Sequence, residues 1–85
     1  MNCCNTGNMG SESLARDLII LGVYSAGLRT MGDVVRGENH VPQSYNGIFP
    51  DEILSGTPVE VARAIDGIAD GVDGARRTLL SEYLV

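Results

Sequence analysis

The 85-residue sequence has no lysine, one histidine and only two cysteines, which are neighbours, Cys3 and Cys4. Each scarcity removes a class of protein. Adjacent cysteines near one end cannot staple distant elements, so no disulfide framework supports the fold. They read as a pair of solvent-facing thiols in a reducing compartment, with metal binding, acylation and a vicinal disulfide as the competing uses. His40 has Glu38 two residues before it but no cysteine or second histidine at ligand spacing, so no metal site is expected. A net charge of −5 without clustered cations argues against any grip on nucleic acid, which needs phosphate charge to be neutralised. All six cations are arginine. That usage suits forked contacts with anions, although GC-rich coding produces it equally.

Long apolar runs are also missing. Leu18 to Leu28 is uncharged but bracketed by Asp17 and Arg29, short of the roughly 20 apolar residues that span a bilayer. Residues 1–15 carry no Lys or Arg, and no small-residue cleavage site follows the run, so no secretory signal is expected. The expectation is a cytoplasmic protein with a buried soluble helix and no membrane partner. No phosphate loop, nucleophile elbow or H-E-x-x-H appears, and no acid/base pair can be named. Neither an enzyme nor a bound cofactor is expected.

What is present is helical periodicity. Residues 1–10, rich in Asn, Gly, Ser and Thr, read as a disordered tail, and 11–85 as a single helical domain. Ser11 is a candidate N-cap. From there Leu14, Leu18, Leu21, Ser25, Leu28, Gly32 and Val35 recur at steps of four and three, the spacing of one helix face. Ile19, Ile20, Val23, Tyr24, Met31 and Val34 fill the other faces, and a helix apolar nearly all round must be covered nearly all round. This helix is predicted over about 12–35, with a bend near Gly32 allowed and Gly37 as its stop.

A long connection follows, punctuated by Val41-Pro42, Asn46-Gly47, Phe49-Pro50 and Ser55-Gly56, with one helical turn expected at Pro50 to Leu54. Thr57-Pro58-Val59-Glu60 then has the form of a capping box and opens the second helix. Val61, Ile65, Ile68, Val72, Ala75 and Leu79 form its apolar seam. Arg63, Asp66, Asp70, Asp73 and Arg77 are assigned to a solvated face, with arginine pairing to aspartate along the helix. Gly67, Gly71 and Gly74 lie off the seam, and three helical glycines cost about 3 kcal/mol unless another backbone must approach them. With Gly22 and Ala26 they are the expected helix-packing positions; the rival reading is a kink.

The fold expected is all-α: two long helices joined by a long irregular loop with room for a short helix, assembling as a helical-bundle oligomer. Helices of about 36 and 42 Å overhang a globule whose radius of gyration should be near 12 Å. A lone hairpin would leave Ile19, Ile20, Val23 and Tyr24 in water, so a homodimer or higher oligomer is expected. The functional expectation is an inhibitor or adaptor that binds another protein through Tyr45, Ile48 and Phe49 on the loop, although the same residues are read with slight preference as caps on the end of the bundle. The alternative is an oligomeric binder of anionic, nucleotide-like ligands, with Arg36, Tyr45, Arg76 and Arg77 lining pockets between subunits.

Overall fold

Four-and-three apolar spacing produces two long helices that pack antiparallel along their lengths. The computed structural model describes the backbone of residues 2–84 and the side chains of residues 12–82. In chain order the elements are α1 (Asn2–Glu38), a 3₁₀ turn (Gln43–Gly47), α2 (Asp51–Leu54) and α3 (Pro58–Leu84). There is no strand among the described residues, so the fold is all-α. The expectations for Cys3 and Cys4 lie outside the described side chains.

Both ends of α1 differ from expectation. Its backbone is helical from Asn2, so Ser11 is an interior position rather than the N-cap expected. No proline precedes Pro42, and a nucleated helix without an obligate breaker propagates at one hydrogen bond per residue. At the other end Gly37 stays inside the helix. Asn39 takes the left-handed conformation instead, at φ 58°, and its N–H closes on the Val35 carbonyl at 2.8 Å. Asparagine is the residue other than glycine that best tolerates this cap. Neither Gly32 nor the Gly67–Gly74 stretch breaks its helix.

The local signals downstream hold. The Thr57 backbone N–H donates to Glu60 Oε1 at 3.0 Å, and the Glu60 N–H donates to Thr57 Oγ1 at 3.3 Å, a reciprocal capping box. Pro50 precedes α2, whose first turn carries Asp51 and Glu52.

Leu28 and Val35 of α1 interlock with Val61, Ala62, Ile65 and Ala69 of α3, all buried. The α3 face is turned from the predicted seam. Ala62 and Ala69 are inside whereas Ala75 is exposed, because small side chains let α1 approach closely while the aspartates beside them reach the arginines of α1. Towards the free ends Leu14, Leu18, Leu21 and Leu79 are only half-buried. The result is a rod of 56 × 22 × 21 Å with a radius of gyration of 16.9 Å, well above the figure of about 12 Å for a compact domain of this length.

Two glycines distinguish packed from open helix surface. A Cβ on Gly32 would lie 2.8 Å from Asp66 Oδ1 and 3.6 Å from the Ala62 carbonyl oxygen, whereas one on Gly67 would meet nothing within 4 Å. Gly67→Ala is expected to raise stability by about 0.5–1 kcal/mol, and Gly32→Ala to lower it by displacing Asp66. Thermal melts followed by circular dichroism check this, and a Gly67→Ala chain that melts below wild type would refute it.

Candidate interaction surface

The rotation of α1 about its own axis is set by a ladder of polar contacts along one flank of the hairpin. Arg29 Nη2 lies 2.7 Å from Asp70 Oδ1 and 2.6 Å from Asp73 Oδ2, and Ser25 Oγ donates to Asp73 Oδ1 at 2.6 Å. Nearer the loop Arg36 pairs with Asp66, and its Nη1 lies 3.7 Å from Asp33. Asp66 and Asp73 are therefore not the solvated face expected of them, whereas Asp70, with its side chain 72 % exposed, remains in solvent while it pairs with Arg29. Their ion-pair partners among the described residues come from α1 rather than from Arg63 and Arg77.

This ladder perturbs its own titration. The Ser25 hydroxyl and then Arg29 hold the Asp73 carboxyl below its ordinary range. The two aspartates in turn hold the Arg29 proton more tightly than usual. Exposed ion pairs are each worth little, but a ladder with a buried serine at its edge fixes geometry.

With one side of α1 committed to α3, the other side is left in solvent. Ile19, Ile20, Val23 and Tyr24 are 66, 55, 68 and 54 % exposed, and Val34 is 37 % exposed. The hairpin thus leaves bare the four residues expected of a single chain, and α1 is covered on one side only. Its Glu12–Glu38 part is long and apolar enough to cross a bilayer by length and composition, with only 22 % of the most apolar stretch buried. Spanning would carry Asp66, Asp70, Asp73 and Arg76 into hydrocarbon with it, or strip α3 away, and either is costly.

The predicted site residues are scattered. Tyr45 and Phe49 are buried, with ring centroids 5.9 Å apart at an interplanar angle of 60°, and the Tyr45 hydroxyl is 3.4 Å from the Met31 carbonyl oxygen. They plug the loop end of the hairpin and are not available to a partner. Burial, then the Glu38 carboxylate, pushes the Tyr45 hydroxyl pKa up. Ile48 alone of the loop trio is exposed, at 54 %.

Arg36, Tyr45, Arg76 and Arg77 do not converge. Arg36 grips Asp66, whereas Arg76, ten positions further along α3, donates from Nε to the Leu18 carbonyl at 2.9 Å. No pocket forms among the described residues. Gly22 receives the Arg76 side chain, 3.3 Å from where a Cβ would stand, rather than a helix backbone, and Ala26 is exposed. Gly67, Gly71 and Gly74 face open space, so the glycine stripe makes no contact with α1. The exposed α1 face was absent from the expected site residues although its signal was present: a helix apolar on every side, with only one neighbour to cover it.

No protein-family model matches the chain, and comparison with curated proteins and with solved structures gives no match.

Asp73 supplies a pH test. Its folded-state pKa is depressed, so the contact stabilises the hairpin above the ordinary aspartate value of about 4 and is lost as pH falls through the folded value. The melting temperature of wild type should drop on acidification below about pH 4, and Asp73→Asn should melt lower at neutral pH with a flatter acid limb. Parallel acid limbs for the two chains would contradict this role.

Proposed function

We propose that this chain is a small, non-enzymatic interaction protein that acts as a homo-oligomer and, once assembled, engages a partner protein. The observation that supports this reading is the contiguous exposed face of Ile19, Ile20, Val23 and Tyr24. Soluble chains rarely leave such a patch uncovered. Full burial of each side chain is worth about 1.5–3 kcal/mol, and a symmetric pair gains that from both copies. The gain is of the same order as the roughly 4–15 kcal/mol of lost freedom that association costs, which favours reversible rather than permanent assembly.

The partner surface in this reading lies at the loop end, where Ile48 is exposed beside Asp51 and Glu52. An apolar anchor flanked by carboxylates suits a basic partner. A cytoplasmic location belongs to the same proposal. The rival role as a binder of nucleotide-like anions has little to recommend it, since Arg36 and Arg76 are already engaged and Tyr45 is buried.

Sedimentation equilibrium at micromolar concentration tests the assembly. Wild type should exceed the 9.0 kDa of one chain, and Val23→Glu, on the solvent side of α1, should sediment as one chain with its helical signal retained. Wild type at 9.0 kDa throughout would refute the proposal.

A further inference from the structure

The outer face of α1 carries a second, independent seam. Arg16, Ile20, Val23, Gly27, Thr30 and Val34 follow one another at steps of four and three, opposite the side that meets α3. Large and small residues alternate in blocks along it, Ile20 and Val23 towards one end and Gly27 and Thr30 towards the other. A Cβ on Gly27 would meet nothing within 4 Å. The Thr30 hydroxyl is already satisfied, donating to the Ala26 carbonyl at 3.0 Å, so burial of that side chain strands no polar group.

We propose that this seam pairs with the same seam of a second copy, antiparallel, with Ile20 against the second copy's Thr30 and Val23 against its Gly27. The inference rests on the self-association proposed above and specifies its surface and direction. Two features select the direction. Antiparallel pairing sets each bulky residue against a small one, whereas a parallel pair in register would stack Ile20 on Ile20 and leave a void between two copies of Gly27. Charge agrees: antiparallel pairing brings Arg16, which has no ion-pair partner among the described residues, beside Asp33 of the other copy, whose side chain is 80 % exposed. Parallel pairing would oppose two copies of Arg16. The pair is closed by a two-fold axis near the level of Ser25, so it makes a discrete dimer rather than a filament.

Cysteine cross-linking tests the direction in the full chain carrying Cys3→Ser and Cys4→Ser. A mixture of Ile20→Cys and Thr30→Cys chains should form a disulfide-linked heterodimer under mild oxidation. Ile20→Cys alone should not cross-link, because antiparallel pairing holds its two copies about 15 Å apart along the axis, beyond disulfide reach. A wild-type dimer in which Ile20→Cys links to itself, or in which the mixture fails to link, would overturn the antiparallel seam while leaving self-association standing. Wild type that sediments as one chain, including one that binds phosphatidylcholine vesicles instead, would overturn both. Charge exchange gives a separate readout: Arg16→Asp and Asp33→Arg should each weaken the dimer on the order of tenfold, and the two together should restore it. A doubly exchanged chain as weak as either single variant would contradict the pairing.

Discussion

Arg29 reaching two aspartates of α3, with Ser25 on the second of them, is the contact on which the rest of the molecule turns. Its energy is modest, because both ends of an exposed ion pair are well hydrated before they meet. Its consequence is angular. A helix that is apolar on nearly every side has no strong preference for which side it buries, and burial of any of its leucine- or isoleucine-bearing faces would yield similar free energy. Guanidinium and carboxylate groups at fixed angular positions break that degeneracy. They turn Leu28 and Val35 inwards and leave Ile19, Ile20, Val23 and Tyr24 outwards.

The same ladder accounts for the rod. Ion pairs and small residues succeed one another from Arg36 with Asp66 to Arg76 over Gly22, so α3 follows α1 along its length instead of folding across it. The apolar core is concentrated at the loop end, where Tyr45 and Phe49 seal the gap between the helices. Away from that plug the hairpin has one layer of contact and two solvent sides. Such a structure has little interior of its own.

Much of this was legible in the residues, and the exceptions have physical causes. The α1 face from Leu14 to Val35, the capping box at Thr57 and Glu60, and the short turn after Pro50 are local or periodic, and periodicity is what a sequence displays directly. The partners of Asp66, Asp70 and Asp73 were misread because an aspartate on a helix looks the same whether it faces water or an arginine 30 to 44 residues away in the chain. Tyr45 and Phe49 admitted two uses, anchor or plug, because loop aromatics serve equally as either, and only tertiary closure separates the two. The glycines of α3 suggested close packing, yet the alanines Ala62 and Ala69 hold that position against α1.

Hydroxyl-radical footprinting of Tyr24 and Tyr45 over a dilution series tests the central claim most directly, that the hairpin seals one side of α1 and leaves the other for a second copy. In dilute protein Tyr24, 54 % exposed, should oxidise readily and Tyr45, 7 % exposed, should resist. As concentration rises Tyr24 should become protected while Tyr45 is unchanged. Equal reactivity of the two tyrosines at high dilution, or a Tyr24 that stays reactive at every concentration, would contradict the account.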